Sequence, residues 1–509
     1  MAWGKAGSTT LSSASATIDV SSLSNNKCLT VLTDKISGGN SVVRYRFNSD
    51  TGSNYARRYS ENGGSDGTST STTFMCSGYE KDGFGIGYIV NISNEEKLLI
   101  YNDVDSNTAG AGNAPRRVEE VGKWTNTSEV IDEINVFNGG SDNFASDSNV
   151  SVLGSEITPA IVTPAIPAIP ALMPSLQSPS VGGWVELART TLGSAGDTIS
   201  VASLPDKRYY MTLVDARPTG GLIEEYMRFD NDSGTNYAVR NQGDGASDQT
   251  FTSISSIYWY LRGGSTNHNY NNFHVGYIAN KSANEKLCIN HFCEQGGSGS
   301  SSAPVRSEVV GKWANTSSVI DQMTISNTSA GSYNTGSEVV VLGWDPADSH
   351  TTNFWEELAS VELSSAGDII SSGTISAKKY LWIQVFTKNT GATNVKMTFN
   401  NDTGSNYAWR YNTNGGSDST ATSDTDFSLN VDNNNAFYDL FIINNSANEK
   451  LVIAHIVDQM TAGAGNAPSR SERVGKWANT SSQITEIDFT NTAGGSYDTG
   501  SIIKVWGHD

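Results

Sequence analysis

The stretch Gly475-Lys476-Trp477-Ala478-Asn479-Thr480-Ser481 occurs three times in this chain with almost no change. The other copies are residues 311–317, which are identical, and residues 122–128, in which Thr replaces Ala. A block that returns at domain-sized intervals predicts repeated structural units, and it has to be recognised before any fold is assigned.

The size and composition of the chain agree with several such units. Its 509 residues exceed what one hydrophobic core supports, and roughly three domains of ordinary size are expected. Only 37% of the residues are hydrophobic, whereas 50 are glycine. Such a composition favours short half-buried strands joined by many turns over long amphipathic helices.

The charge and the N-terminus exclude several classes of partner. The formal charge is −20, from 53 acidic and 33 basic residues, and an acidic surface repels nucleic acid. No apolar run approaches the ~20 residues of a membrane-spanning helix. Residues 1–8 lack the basic and apolar regions of a signal peptide. We therefore expect a soluble protein made in the cytoplasm, with neither nucleic acid nor membrane as a partner.

The three copies align along their whole length. Trp3, Trp184 and Trp355 open them, and the apolar positions that follow recur with the same gaps. Apolar runs of strand length between Gly, Asn and Ser predict buried strands. About eight short strands per copy and no helix predict an all-β fold of three tandem antiparallel β-sandwich domains, jelly-roll-like in kind. The predicted domain limits are residues 1–155, 184–345 and 346–509.

A proline-rich segment, residues 156–183, separates the first two copies. It cannot enter a sheet interior, and it favours an extended polyproline II conformation. Because the segment is more apolar than a free linker, we predict that it docks on a neighbouring surface as an arm. The residues predicted to make this contact are Ile161, Ile166, Ile169 and Leu172.

Each copy contains the pattern Asp-[Ser/Thr]-Gly-[Ser/Thr]-Asn-Tyr-Ala, as in residues 50–56. Its alternating oxygen-bearing side chains suggest a calcium loop, but the Gly comes one place early and no Glu stands twelfth. A β-hairpin turn explains the pattern with fewer assumptions, so Ca²⁺ is the alternative interpretation, and no other cofactor is expected. The weak candidate metal ligands are Asp50, Asn54, Asp232, Asn236, Asp402 and Asn406.

The recurring tryptophans allow two interpretations. Trp477 could form a sugar-binding platform together with Lys476 and Arg410. A tryptophan that closes one end of the sandwich, with Lys and Arg pairing with carboxylates at its rim, explains the same residues. We favour the second interpretation, in which the structural anchors are Trp124, Trp313 and Trp477.

No catalytic constellation is evident. The chain contains no Gly-x-Ser-x-Gly nucleophile elbow, since the match at residues 63–67 falls in an Asn/Asp-Gly-rich loop, and it has no Cys/His pairing and no phosphate-binding loop. Six histidines lack ligand spacing; His291 and His455 are equivalent between copies, but the first copy has Asn102 at that position. We therefore expect surface or strand histidines and a protein that is not an enzyme.

The end of each copy resembles a known family. The third copy closes with Ile487-Asp488-Phe489 and then with Gly-Ser-Ile-Ile-Lys-Val-Trp-Gly at residues 500–507. This segment is similar to the last hairpin of β-sandwich domains in virion structural proteins of marine tailed bacteriophages. The Gly-Lys-Trp-Ala-Asn-Thr-Ser block resembles proteins of the same kind. The first copy departs from the pattern because it lacks the Gly-Ser.

The resemblance implies a non-enzymatic structural protein of a phage virion, a capsid decoration or head-fibre protein first of all. Its partners would be other virion proteins (the major capsid or tail proteins) and copies of itself, and its location the virion. The alternative is a tail fibre or a carbohydrate-binding adhesin that recognises glycans on the host surface.

Overall fold

The computed structural model describes residues 2–23, 25–37, 39–77, 81–157, 182–258, 267–429 and 434–509. The predicted docking arm, with Ile161, Ile166, Ile169 and Leu172, lies outside the described residues. The regular elements of the described residues are all β-strands. Within these ranges, no helix is long and apolar enough to cross a membrane.

The described residues of the first module form twelve strands. They are β1 (Ala2–Thr10), β2 (Thr17–Val20), β3 (Cys28–Lys35), β4 (Val43–Phe47), β5 (Tyr55–Glu61), β6 (Gly67–Ser71), β7 (Phe74–Ser77), β8 (Gly83–Val90), β9 (Lys97–Asp105), β10 (Arg116–Trp124), β11 (Ile134–Asn138) and β12 (Asn149–Ile157).

The second module repeats this series with one additional short strand. Its strands are β13 (Val185–Thr191), β14 (Thr198–Ala202), β15 (Tyr209–Ala216), β16 (Ile223–Phe229), β17 (Tyr237–Gly243), β18 (Gln249–Ile254), β19 (Ile257–Tyr258), β20 (Asn267–His268), β21 (Asn272–Ala279), β22 (Lys286–Glu294), β23 (Val305–Trp313), β24 (Gln322–Asn327) and β25 (Glu338–Trp344).

The third module follows the first strand for strand. Its strands are β26 (Glu356–Glu362), β27 (Ile369–Ser371), β28 (Tyr380–Thr387), β29 (Val395–Phe399), β30 (Tyr407–Thr413), β31 (Ser419–Asp424), β32 (Phe427–Ser428), β33 (Ala436–Ile443), β34 (Lys450–Asp458), β35 (Ser469–Trp477), β36 (Ile487–Asn491) and β37 (Ile502–His508).

Each module is a sandwich of two antiparallel sheets. In the first module, an eight-stranded sheet in the order β1-β12-β3-β8-β9-β10-β5-β6 lies opposite a four-stranded sheet in the order β2-β11-β4-β7. The second and third modules repeat this order, and β20 pairs with β16 in the second. The chain alternates between the sheets from β1 to β5 and again from β10 to β12, as in a jelly roll. The predicted fold class, all-β with three tandem antiparallel sandwiches, is confirmed.

The modules contain more strands than the roughly eight predicted for each. The strand β6 consists of Gly, Thr and Ser, and it pairs only with β5 at the edge of its sheet. Its side chains alternate between exposed and half-buried, so no apolar periodicity marks it. Edge strands of this composition escape a sequence pattern that depends on buried residues.

The space between the two sheets of a module is filled by aromatic and aliphatic side chains. In the third module the Trp477 ring lies 5.7 Å from the Phe399 ring, centroid to centroid. The pairs Trp313–Phe229 at 5.7 Å and Trp124–Phe47 at 5.8 Å repeat this contact. The three recurring tryptophans therefore lie inside the sandwiches.

The opposite face of each eight-stranded sheet is buried as well. One cluster of buried apolar side chains draws members from all three modules, including the opening residues Trp3, Trp184 and Trp355. The Trp3 ring lies 4.5 Å from the Trp382 ring, so the first and third modules meet there. Strand β9 and its counterparts β22 and β34 are buried at every residue because both faces of their sheets are covered. In addition to the interior of each sandwich, the three modules thus share one central hydrophobic core.

Candidate functional site

The lysine of the Gly-Lys-Trp block holds the neighbouring module. Each of the three lysines is buried, and its amine donates to two backbone carbonyls of a loop in another module. The pairs are Lys123 with Gln459 and Thr461, Lys312 with Ser106 and Thr108, and Lys476 with Gln295 and Gly297. The modules are therefore joined in a closed cycle, first to third, third to second and second to first.

A glutamate beside each lysine binds the same loop. Burial lowers the pKa of Lys476 below its ordinary range, and the Glu449 carboxylate, 3.5 Å from its amine, opposes this shift. The Glu449 carboxylate also accepts a hydrogen bond from the backbone N–H of Gly299 in the second module. The equivalent contacts are Glu96 with Gly463 and Glu285 with Gly110. Each Gly-rich loop is thus held by an amine and a carboxylate.

The recurring arginine after the Asp-Gly turn makes a third contact of the same kind. The Nε of Arg410 donates to the carbonyl of Pro304, at 2.9 Å, where the loop of the second module ends. Arg58 donates to Pro468 and Arg240 to Pro115 in the same way, at 2.8 and 2.9 Å. Lys476 and Arg410 therefore bind backbone of the second module. Both also pair with carboxylates, as predicted: Lys476 with Glu449 at 3.5 Å, and Arg410 with Asp244 at 3.1 Å and Asp418 at 3.8 Å.

A second series of arginines crosses between modules in the opposite direction. These side chains lie at the start of β10, β23 and β35 and are almost fully buried. Each forms an ion pair with an aspartate of the next module: Arg117–Asp248 at 2.7 Å, Arg306–Asp418 at 2.9 Å and Arg470–Asp66 at 2.8 Å. These ion pairs link the first module to the second, the second to the third and the third back to the first. The single chain therefore has the form of a trimer with a pseudo-threefold axis.

The predicted anchors Trp124, Trp313 and Trp477 are at most 1% exposed. Each indole N–H donates to the aspartate of the Asp-Gly turn, at 2.7 Å in all three modules. A buried indole cannot stack on a sugar from solvent, so the sugar-platform interpretation of these residues is wrong. Their burial agrees with the anchoring role, which stays a prediction.

The candidate metal residues of the Asp-Gly turn form a closed set of hydrogen bonds. In the first module, Asp50 accepts from the Gly52 N–H at 2.7 Å and from the Asn54 amide at 2.8 Å. The pairs Asp232–Asn236 and Asp402–Asn406 repeat the second bond, also at 2.8 Å. Both carboxylate oxygens thus have donors, as in an Asx turn, and calcium binding at this turn stays a prediction.

Sequence reasoning missed a cluster on the pseudo-threefold axis. His291, His455 and Glu308 lie together, with one potential ligand atom from each within 4.8 Å of the others. The two imidazole centroids are 4.4 Å apart, and all three residues are buried. The histidines are strand residues, as predicted, but they are not on the surface.

A signal for this cluster was present beside the repeated block. Each copy reads Arg-x-Glu-x-x-Gly-Lys-Trp, so Glu119, Glu308 and Glu472 are equivalent. Strand pairing places these glutamates opposite Asn102, His291 and His455, respectively. The position that is Asn in one copy and His in two is thus the axial position of the whole molecule.

Comparisons with known proteins give no family. No protein-family model matches the chain, and no curated protein is similar to it. Among solved structures, the LG1-3 region of the laminin α2 chain has a TM-score of 0.16 and 8% identity, over 97% of this chain and 96% of that one. Mouse laminin α1 domains LG4-5 have a TM-score of 0.14 and 11% identity, over 67% and 93%. Neither fold nor function is inferred from scores this low.

Proposed function

We propose that this chain is a non-enzymatic structural protein of a phage virion, placed on the head as a decoration or fibre protein. The observation that supports this proposal is the closure of three jelly rolls around one axis. A unit of this form presents three equivalent outer surfaces at one attachment point. It therefore suits a local threefold position on a protein shell, where three equivalent contacts are available.

The way the loops are held also suits exposure on a particle. The Gly-rich loops that would be cut most easily in an isolated sandwich are bound by Lys123, Lys312 and Lys476 of the adjoining modules. Backbone held at several points resists local opening, which proteases need. The resemblance of the closing segments to virion proteins of marine tailed phages adds independent support.

A glycan-binding adhesin would need a recognition surface that does not consist of Trp477, Lys476 and Arg410. Trp477 and its equivalents are buried, and Lys476 and Arg410 bind the next module. Loops that differ between copies would then have to carry recognition. A tail fibre stays the second placement, because a pseudo-threefold unit also fits the axis of a fibre.

The experiment is to purify particles of the phage that encodes this chain and to determine their structure by electron cryomicroscopy. Trefoil-shaped density at fixed positions on the head, with the chain identified by mass spectrometry, supports the proposal. Density on the tail moves the protein to the second placement. A chain that is abundant in the lysate but absent from purified particles refutes a virion role.

A further inference from the structure

The axial cluster has the geometry and the atoms of a metal site. His455 Nε2 lies 3.8 Å from Glu308 Oε1, and His291 Nδ1 contacts Glu308 Oε2. Ligands that bind one zinc ion at about 2.0–2.2 Å lie roughly 3–4 Å from one another. Small side-chain rotations would therefore bring all three groups onto a single ion.

Among the described residues, Glu308 is the axial glutamate that pairs with no arginine of another module, because the equivalent Arg117 pairs with Glu119 and Asp248 instead. Arg470 binds Glu119 at 2.7 Å, and Arg306 binds Glu472 at 2.6 Å. Arg306 of the same module lies at ion-pair distance, 3.7 Å from Glu308 Oε1, and it also binds Asp418 and Glu472. The histidines approach one Glu308 oxygen each, His455 at Oε1 and His291 at Oε2.

A fourth polar group lies at the same position. Asn102 is 4% exposed, and its amide nitrogen has no hydrogen-bond partner among the described residues. It lines two small cavities of about 10 Å³, one with His455 and one with His291. That volume accommodates about one water or ion, so a bound ion could keep a water or the Asn102 amide oxygen as a further ligand.

We propose that His291, His455 and Glu308 bind one divalent transition-metal ion, with Zn²⁺ as the cation that suits two imidazoles and a carboxylate. The ion joins β22 and β23 of the second module to β34 of the third. The ion lies on the pseudo-threefold axis, and it stabilises the closed ring by joining two of its modules.

The test uses the full-length protein without a histidine tag, expressed with Zn²⁺ in the medium and dialysed. Elemental analysis should give about one zinc per chain. The variants His291→Asn and His455→Asn introduce the residue that the first module carries at this position. The zinc content of each variant should be at least ten-fold lower than that of the wild type. The control His508→Asn, near the C-terminus, should keep all of it.

A second measurement protects the test against a variant that fails to fold. Protein prepared with Co²⁺ should show visible absorption bands, and Asn102→His, which offers a third imidazole, should shift them. Wild-type protein that is folded yet holds no zinc after this preparation overturns the proposal. Equal metal content in wild type and both His→Asn variants, or cobalt bands that Asn102→His leaves unchanged, overturns it as well.

Discussion

Replacing Lys476 by methionine tests whether the modules are held together as the structure indicates. The Lys476 amine donates to the Gln295 carbonyl at 3.0 Å and to the Gly297 carbonyl, and it lies 3.5 Å from the Glu449 carboxylate. Methionine retains the volume of the side chain but removes the charge and the donors. The substitution therefore isolates the polar contacts from the packing.

The expected loss of stability follows from what remains unpaired. An unpartnered buried carbonyl costs about 1–3 kcal/mol. Removing one partner of a buried ion pair costs about 3–5 kcal/mol. Since Glu449 keeps its hydrogen bond from Gly299, we expect a total of about 3–5 kcal/mol, not the sum of every term.

The assay is urea unfolding followed by the fluorescence of the 11 tryptophans. The shared core couples the modules, so the midpoint of one common transition should move to lower urea. The control is Lys378→Met in the same module, because Lys378 forms its ion pairs with the exposed side chains of Glu356 and Asp509. Exposed pairs contribute about 0–1 kcal/mol. Equal effects of the two variants, or separate transitions of which only the third module's moves, would refute the coupling.

Four further predictions concern the interior and the turns. Trp477→Ala should cost about 3–5 kcal/mol in urea unfolding, whereas Trp477→Phe, which loses mainly the hydrogen bond to Asp402, should cost about 1.5–3 kcal/mol; a fully stable alanine variant would disprove the anchoring role. Partial burial raises the pKa of Asp402, but hydrogen bonds from Trp477 and the turn lower it below its ordinary value. The stability that this carboxylate adds is therefore present above about pH 4 and is lost as the pH falls through the lowered pKa; thermal melting of Asp402→Asn should show a smaller loss on acidification, and an identical acid profile would contradict this. Burial raises the pKa of the Cys28 and Cys288 thiols to about 12, so these two and the buried Cys293 should react with a thiol reagent only after unfolding. Fast labelling of Cys28 or Cys293 in the native protein would be inconsistent with the shared core, and fast labelling of Cys288 with the interior of the second sandwich. Because the turn carboxylates already have donors, Ca²⁺ and a chelator should leave the melting temperature unchanged once metal at the histidine cluster is controlled by the His→Asn variants; a calcium-dependent rise would restore the metal interpretation of the turns.

The fold within each module could be predicted because its signals are local. Equal gaps between apolar positions established the repeat, and Asp-x-Gly turns with short apolar runs established strands. Edge strands such as β6 could not be predicted, because Ser and Thr at a sheet edge carry no apolar periodicity.

The shared core left a signal that a stricter use of strand periodicity would have found. The strands of a sheet with one solvent-exposed face alternate between apolar and polar residues, whereas the strands of a sheet covered on both faces do not. The run Tyr380-Leu381-Trp382-Ile383 has no polar residue on either face, and the structure buries all four side chains. Such runs in every copy imply that something covers the outer face of the large sheet. They do not say that the cover is the other two modules.

The contacts between modules could not be predicted, since the residues that make them are typical of a surface. Lys476 and Arg410 look like solvated charges, and their partners include backbone carbonyls of the second module, which have no sequence signature. The buried pair Arg306–Asp418 joins residues that are far apart in the chain. Only closure of the ring brings them together, and closure depends on packing across the whole molecule.

Fusion of three modules into one chain explains how the axial histidine cluster can arise and why a comparison of the three copies does not reveal it. In a trimer of identical chains, a residue on the axis occurs three times, so a position is all His or all Asn. In this chain the copies are free to differ, and the axis carries Asn102 beside His291 and His455. The difference that argued against a functional histidine when the copies were compared is therefore what a single chain permits. Equivalence between repeats identifies the framework of such a ring, whereas departures from equivalence at its axis identify positions that can acquire a specific chemistry.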